Sequence, residues 1–178
     1  KGDRLFILGP NGCGKSTLIK ILMERLLPTA GSIEYGYNVE VGYYDQENQN
    51  LSPENTVLDE LWNAYPASTQ TELRSVLAAF MFRGDDIEKT VSVLSGGERA
   101  RLTRAKLIFS RMNLLILDEP TNHLDISSRE ALENALTEFG GTVIAVSHDR
   151  YFISKLATRI AAVDGNGIID FHGTYEEY

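Results

Sequence analysis

The feature that most restricts the fold of this chain is a glycine-rich segment close to its beginning. Residues 9–16 read Gly-Pro-Asn-Gly-Cys-Gly-Lys-Ser, which matches the pattern G-x-x-x-x-G-K-[ST]. An apolar run, residues 5–8, precedes the segment, and apolar side chains at helical spacing follow it. This order of strand, glycine-rich loop and helix predicts an α/β fold.

The residue types in this segment suit a phosphate group. A glycine backbone can curl so that successive N–H groups point at one anion, and the N-terminus of the next helix favours negative charge. We expect Lys15 to reach the β- and γ-phosphates and the Ser16 hydroxyl to bind Mg²⁺. The predicted nucleotide-binding residues are Gly9, Pro10, Asn11, Gly12, Cys13, Gly14, Lys15, Ser16 and Thr17.

A pair of carboxylates follows a second apolar run. Residues 114–117 are Leu-Leu-Ile-Leu, and Asp118 and Glu119 come directly after them. Ligands of an open α/β sheet bind at the carboxyl ends of its strands, and adjacent side chains on a strand point to opposite sides. We therefore predict that Asp118 binds Mg²⁺ and that Glu119 orients or deprotonates the attacking water.

The rest of the chain alternates strand and helix patterns, which is typical of a parallel sheet covered on both faces. Further strands are predicted over residues 32–35, 39–44, 143–146 and 160–163, the first two as exposed β-structure. Helices are predicted over residues 16–27, 99–109 and 129–138, together with a helical region over residues 55–83 that breaks at Pro66. An S-x-x-E box, Ser127 to Glu130, is expected to begin the helix over residues 129–138.

A short motif between the phosphate loop and the carboxylate pair names a family. Residues 94–98, Leu-Ser-Gly-Gly-Glu, form an S-x-x-E capping box and also resemble the signature motif of ABC ATPases. Gln46 resembles the glutamine of the Q-loop, residues 120–125 resemble the D-loop, and His148 resembles the switch histidine that senses the γ-phosphate. The order of these motifs along the chain is that of the family.

The resemblance implies a fold and a set of functional residues. The fold is a P-loop NTPase of ABC type, α/β, with a mostly parallel sheet, a small β part and a helical subdomain over about residues 47–93. Its implied catalytic residues are Lys15, Gln46, Glu119 and His148, and its implied metal ligands are Ser16, Gln46 and Asp118. The implied signature residues, which act on ATP bound by a partner domain, are Ser95, Gly96, Gly97 and Glu98. Asp125 is the implied D-loop residue.

Two longer stretches make the resemblance more specific. Residues 119–125, Glu-Pro-Thr-Asn-His-Leu-Asp, and residues 147–152, Ser-His-Asp-Arg-Tyr-Phe, look like the F subfamily of ABC ATPases. Members of that subfamily carry two ATP-binding domains in one chain, and many act on ribosomes. Residues 95–101 and 126–132 look more like the second domain of such a pair. The implied partners are therefore a second ABC domain of the same protein, or a second copy of this chain, and the ribosome with its rRNA.

The resemblance also implies a domain organisation. Residues 1–178 are expected to form one ABC ATP-binding domain that lacks its N-terminal strands. Family members place an adenine-stacking aromatic residue on those strands, so we expect this chain to bind nucleotide more weakly than an intact domain.

Charge and composition narrow the classes of function. The net charge is −8, and it is carried by a stretch between Arg25 and Arg74 that contains no lysine or arginine. Such a stretch is typical of a solvated acidic flank, or of a surface for a basic partner, and not of a nucleic-acid footprint. No apolar run is long enough to span a membrane, and the single cysteine, Cys13, excludes an internal disulfide. We expect a reducing, cytoplasmic setting.

Two other functions remain open at this stage. The chain could be the ATP-binding domain of a membrane transporter, although residues 149–152 and the acidic flank argue against it. It could also belong to a DNA-repair or chromosome-structure ATPase, but those proteins insert long coiled coils and none is predicted between Gln46 and Leu94. His123 and His172 are interpreted as ordinary surface or core residues.

Overall fold

The computed structural model describes residues 2–45, 51–110, 112–122, 124–164 and 167–178. In this part of the chain the strands are β1 (Arg4–Leu8), β2 (Val41–Asp45), β3 (Leu114–Asp118), β4 (Thr142–Val146), β5 (Arg159–Asp164) and β6 (Gly167–His172). The helices are α1 (Lys15–Leu22), α2 (Val57–Ala64), α3 (Gln70–Ala79), α4 (Gly96–Phe109), α5 (Ile126–Glu138) and α6 (Arg150–Leu156). Two 3₁₀ turns, Gly84–Glu88 and Val91–Val93, lie between α3 and α4.

The strands form one sheet in the order β2-β3-β4-β1-β5-β6. Neighbouring strands are parallel except for β5 and β6, which are antiparallel. Strand β1 lies between β4 and β5, so the first strand of the chain is central in the sheet. The predicted α/β fold with a mostly parallel sheet is confirmed.

The chain divides into two compact units. The first comprises the described residues of Lys1–Asp45, Met112–Thr121 and Phe139–Tyr178, and it holds the sheet with α1 and α6. Its core includes Ile7, Ile19, Ile116 and Val146, each at most 2% exposed. Burying such side chains contributes roughly 1.5–3 kcal/mol each, which is why uninterrupted apolar runs form these strands.

The second unit comprises the described residues of Gln46–Arg111 and Asn122–Glu138, and it holds α2, α3, α4 and α5. Leu61, Leu73, Leu77 and Leu102 are fully buried in its core. The predicted helical region is thus present as α2 and α3, with a break that contains Pro66. No helix among the described residues is both long enough and apolar enough to cross a bilayer.

Three predictions near the start of the chain are wrong. Helix α1 ends at Leu22 and not at residue 27, because Glu24 takes a left-handed φ of 55° that an α-helix cannot continue. Residues 32–35 form no strand, since they have no strand neighbour in the described part of the chain. Strand β2 is not exposed β-structure either: it pairs in parallel with β3, and Tyr44 is only 1% exposed.

Other elements differ in their bounds. Helix α4 begins at Gly96, three residues before the predicted start. Helix α5 begins at Ile126, also three residues early, and the predicted box at Ser127 does not cap it. Strand β6 was not predicted, although the apolar residues Ile168, Ile169 and Phe171 gave a signal for it.

Candidate functional site

The glycine-rich loop joins β1 to α1 as predicted. Gly12 and Gly14 have φ angles of 80° and 101°, and Gly14 is the residue that precedes the helix. These left-handed conformations favour glycine because a side chain would be strained there. The first turn of α1 carries no acidic residue, and Ser16 and Thr17 are exposed in it. The backbone N–H groups of the loop and helix start are therefore suited to an anion, and no carboxylate in the first turn of α1 opposes it.

Lys15 is held inside this loop. Its side chain is 8% exposed, and its Nζ donates to the carbonyl oxygens of Gly9 (2.8 Å) and Pro10 (2.9 Å). A lysine ammonium is a compact charge on a flexible stem, so it can exchange neutral carbonyls for phosphate oxygens when an anion arrives. The structure thus places the predicted lysine at the loop and gives it a position from which it can reach a bound phosphate.

Gly9 fixes the start of the loop against the sheet. A Cβ atom on Gly9 would lie 2.4 Å from the carbonyl oxygen of Val163 on β5 and 2.7 Å from Sγ of Cys13. The carbonyl belongs to the main chain of a paired strand and cannot move aside cheaply. Gly9 therefore permits a close approach of two backbones, which a larger residue would prevent.

Asp118 is the last residue of β3, and Glu119 leaves the strand. The backbone of Glu119 has a φ of 47°, and its N–H donates to the carbonyl oxygen of Val146 on the neighbouring strand β4 (2.9 Å). A non-glycine residue in this conformation is uncommon, and such residues often occur at functional sites. The carboxylates of Asp118 and Glu119 are thus separated by a bend of the backbone at Glu119. The sequence predicted their separation only from the alternation of side chains along a strand.

Glu119 contacts the predicted switch histidine directly. Its Oε1 lies 3.3 Å from Nε2 of His148, and its Oε2 accepts a hydrogen bond from the backbone N–H of His148 (3.3 Å). Burial raises the pKa of Glu119, and the nearby Asp118 adds to this rise, while His148 and Lys15 oppose it without cancelling it. Glu119 therefore has the position and the raised pKa that suit a general base.

A short turn, which was not predicted from the sequence, holds His148 in place. Ser147 is 3% exposed, and its Oγ accepts a hydrogen bond from the backbone N–H of Asp149 (3.1 Å). Asp149 in turn accepts from the N–H groups of Tyr151 and Phe152 and caps α6. A serine and an aspartate on either side of a histidine are the sequence signal for this arrangement, because both residue types favour turns and N-caps.

The signature residues lie in the second unit at the start of α4. Ser95 is its N-cap: the Ser95 Oγ accepts from the N–H of Glu98 (3.2 Å), and the Glu98 carboxylate accepts from the N–H of Ser95 (2.8 Å). The predicted capping box is confirmed. Ser95, Gly96 and Gly97 are exposed, so the helix N-terminus is accessible to a ligand.

Asp125 has a structural contact of its own. Its carbonyl oxygen accepts from the N–H of Arg129 (3.0 Å) and its carboxylate accepts from the N–H of Ser128 (2.7 Å), the two contacts of an N-cap residue. Asp125 thus caps α5 in place of the predicted Ser127. Gln46 and His123 lie outside the described residues, and His172 lies on β6, 3.6 Å from Asp170.

The donor set fits a magnesium nucleotide. Ser16 offers a hydroxyl and Asp118 a carboxylate, the hard oxygen ligands that Mg²⁺ prefers. Among the described residues no group of three or more His, Cys, Asp or Glu could hold a metal, and Mg²⁺ at a nucleotide needs none, because phosphates and water complete its shell. Ser16 and Asp118 would hold the ion, which supplies positive charge against the phosphates.

Comparisons with known proteins identify the family of this chain. A protein-family model described as "ABC transporter" matches residues 1–122, more than two thirds of the chain. The chain belongs to the ABC transporter family. It is the ATP-binding domain of that family, whose ATP-binding domains are generally ATPases that use Mg²⁺ with ATP.

Curated relatives of this ABC domain include members of the F subfamily. ABC transporter F family member 5 of Arabidopsis thaliana is 43% identical over 180 residues, covering 100% of this chain and 26% of that protein. YdiF of Bacillus subtilis is 52% identical over 178 residues, covering 100% of this chain and 28% of that protein. The F-subfamily resemblance is thereby confirmed. The chain spans only about a quarter of the length of these two relatives.

Solved structures share the fold. The archaeal ribosome recycling factor aABCE1, crystallised in complex with the ribosomal stalk protein aP1, is 29% identical with a TM-score of 0.76, covering 93% of this chain and 32% of that chain. A metal-chelate type ABC transporter is 25% identical with a TM-score of 0.72, covering 97% of this chain and 72% of that chain. The ABC fold is therefore shared by ribosome-related and membrane-transport proteins.

Proposed function

We propose that this ABC domain hydrolyses ATP as one half of a two-domain F-subfamily protein that acts on the ribosome. The observation that supports hydrolysis is the contact between Glu119 and His148. Both residues follow the carboxyl ends of strands β3 and β4, and the phosphate loop follows the carboxyl end of the neighbouring strand β1. Hydrolysis requires a base and a group that responds to the γ-phosphate, and these two residues meet both needs.

The proposed roles follow from chemistry. Lys15 binds the β- and γ-phosphates, and Ser16 and Asp118, with Gln46, hold Mg²⁺. Glu119 accepts a proton from the attacking water as the water oxygen bonds to the γ-phosphorus. The bond from the γ-phosphorus to the oxygen that bridges the β- and γ-phosphates breaks, and that oxygen leaves with ADP. The side chain of His148, 3.3 Å from the carboxylate, keeps Glu119 in place and contacts the γ-phosphate.

The remaining motif residues act on a second nucleotide. The exposed N-terminus of α4, with Ser95, Gly96 and Gly97, binds the γ-phosphate of ATP held by the partner domain. Asp125 contributes from the D-loop. ATP then stabilises the closed pair of domains, and hydrolysis removes the γ-phosphate contacts that held them. The motif pattern favours the second position of a tandem pair for this domain.

The ribosomal part of the proposal rests on relatedness. F-subfamily relatives cover the whole chain, and a structural neighbour that is a ribosome recycling factor shares the fold. The acidic flank between Arg25 and Arg74 does not suit direct binding to rRNA. We therefore assign the rRNA contacts to parts of the protein outside this acidic stretch.

Sedimentation with ribosomes tests this function. The intact protein should carry Glu119→Gln and the matching substitution in its other ABC domain, so that bound ATP persists. Pelleting with ribosomes in ATP and not in ADP is the expected result, because only ATP maintains the closed pair. If no pelleting occurs in either nucleotide while ATP still binds, the ribosomal role is wrong and a transporter role becomes the better proposal.

A further inference from the structure

Glu60 is a buried carboxylate to which the proposed mechanism gives no role. It lies on α2 and is 3% exposed, although glutamate is almost never buried without a partner. Neighbouring Asp59 on the same helix is exposed. A charge taken out of water costs several kcal/mol unless hydrogen bonds and an opposite charge compensate it, so the surroundings of Glu60 are informative.

Three donors from two parts of the second unit, the segment before α2 and helix α4, form hydrogen bonds with this carboxylate. Its Oε1 accepts from Nζ of Lys106 (2.7 Å), and its Oε2 accepts from Nδ2 of Asn55 (2.9 Å) and from the backbone N–H of Ser52 (3.2 Å). Burial alone raises the pKa of Glu60, but the hydrogen bonds from Lys106, Asn55 and Ser52, together with the positive charge of Lys106, outweigh burial and hold the pKa below its usual range. Glu60 is therefore an ionised carboxylate that connects Lys106 to residues 52–57, and not a neutral core residue.

The segment that Glu60 holds is also tied to the chain entering the signature motif. The N–H groups of Val91 and Ser92 donate to the carbonyl oxygens of Asn55 (2.9 Å) and Pro53 (3.0 Å). A β-bridge between Thr56 and Thr90 adds to this pairing. Residues 91–93 form a 3₁₀ turn that leads through Leu94 to Ser95. Residues 52–57 thus fix the approach to the signature motif.

Lys106 connects Glu60 to the other end of the signature helix. It lies in the last turn of α4, the helix that Ser95 begins. The hydroxyl of Tyr65 donates to the Lys106 carbonyl oxygen (2.6 Å), and the Tyr65 ring packs edge-on against Phe109 at 5.1 Å. Residues 52–57 therefore contact both the approach to α4 and, through Glu60, its C-terminal turn.

We propose that Glu60 is a positioning residue for ATP hydrolysis. Its carboxylate joins residues 52–57 to Lys106 and thereby holds helix α4 in the orientation that presents the signature motif to a nucleotide. This inference rests on the proposed function, because it needs the signature motif to act on ATP. Glu60 does not touch the nucleotide, and its effect passes through Ser95, Gly96 and Gly97.

The test measures kcat, KM and ATP affinity for the intact protein with Glu60→Gln, Lys106→Met and the double variant. Glu60→Gln keeps the shape of the side chain and removes its charge. The matched control is Asp59→Asn, a neutralised but exposed carboxylate on the same helix. Because a misplacement of about 1 Å can cost about 100-fold in rate, we expect kcat to fall about 10- to 100-fold in both single variants. ATP affinity should fall much less than kcat, since the phosphate loop, which holds most of the nucleotide, is untouched.

Two features separate positioning from simple loss of stability. The double variant should lose no more kcat than either single variant, because both substitutions break the same contact between Glu60 and Lys106. Lys106→Arg keeps the charged contact and should restore most of the activity. If Glu60→Gln does not fold, Lys106→Met decides alone, since Lys106 is 30% exposed and its loss leaves Glu60 with Ser52 and Asn55.

The outcomes distinguish the two proposals. Wild-type kcat in a folded Glu60→Gln or Lys106→Met variant overturns the positioning role and leaves the proposed function intact. An equal loss in Asp59→Asn also overturns it, because the effect would then follow surface charge. If the unsubstituted intact protein turns over no ATP, the proposed function is wrong and the inference falls with it.

Discussion

The imidazole Nε2 of His148 lies 3.3 Å from Oε1 of Glu119, and the backbone N–H of His148 donates to the other oxygen of the same carboxylate. His148, the second residue after β4, thus contacts both carboxylate oxygens of Glu119, the first residue after β3. The two strands are neighbours in the sheet, with Asp118 beside Val146. The contact follows from strand order and brings together residues far apart in sequence.

Glu119→Gln should nearly abolish ATP turnover and leave ATP binding intact. A positioned general base contributes about 10²–10⁴ in rate, and an amide cannot accept the proton. Steady-state phosphate release by the intact protein measures the effect, with Glu34→Gln, an exposed carboxylate, as the control. More than about a tenth of the wild-type rate in Glu119→Gln is incompatible with a general-base role.

Activity and stability should respond to acid in different pH ranges. The pKa of Glu119 is raised, chiefly by burial, so the base protonates and turnover falls at a pH above the usual carboxylate range. The pKa values of Glu98 and Asp125 are lowered, the first chiefly by the N–H of Ser95 and the second by its hydrogen bonds with Ser128. The stability that these two carboxylates contribute is present above their unfolded pKa values and is lost only as the pH falls through their lower folded ones.

A pH range should therefore exist in which the protein is folded but inactive. A pH–rate profile of kcat and thermal unfolding at the same pH values test this together. Coincident loss of turnover and of folded structure would contradict the assignment of the acid limb to Glu119.

Lys15→Met should remove ATP binding without unfolding the domain. The Lys15 ammonium contacts two carbonyl groups of the loop and can transfer to phosphate oxygens, whereas methionine carries no charge. Titration with a fluorescent ATP analogue measures the loss. Lys20→Met, an exposed lysine in the last turn of the same helix, is the control and should bind like the wild type.

Ser95 should show two separable roles. Ser95→Ala removes the N-cap of α4 and should lower the free energy of unfolding by about 1 kcal/mol, while Ser95→Asp keeps a capping oxygen and should retain most of that stability. Neither variant should hydrolyse ATP normally, because aspartate would repel a phosphate. Urea unfolding and phosphate release measure the two roles, and normal turnover by Ser95→Asp would refute contact between Ser95 and a nucleotide.

Gly9→Ala should destabilise the domain because its Cβ would lie 2.4 Å from the Val163 carbonyl oxygen. We expect a loss of about 1–3 kcal/mol, the usual cost of overpacking. Gly140→Ala is the matched control, since a Cβ there meets no atom within 4 Å. Urea unfolding of both variants tests the close approach, and equal stability of the two would show that β5 can move aside.

The sequence predicts this site well where a local pattern has a local cause. The glycine-rich loop and the Ser95–Glu98 box depend on residues within a few positions of one another, and both occur where predicted. The left-handed backbone of Glu119 has no such local cause: its N–H bonds to Val146, and only the folded sheet provides that partner.

Tertiary partners also explain the missed elements. Residues 32–35 have the composition of a strand but no neighbouring strand to pair with in the described part of the chain. Asp125 caps α5 because its carboxylate accepts a hydrogen bond from the N–H of Ser128, which starts the helix two residues before the cap predicted at Ser127. The acidic stretch that suggested a solvated flank contains Glu60, whose burial depends on Lys106, forty-six residues later.

The central position of β1 has a consequence for how this domain is made. Strand β1 and the phosphate loop are synthesised well before both neighbours of β1 in the sheet, the strands Thr142–Val146 and Arg159–Asp164. At the usual rate of synthesis, roughly 7–30 seconds pass before those strands follow. Until then the loop lacks the Val163 backbone against which Gly9 packs, so we expect the loop to take its nucleotide-binding shape only after the fifth strand has been synthesised.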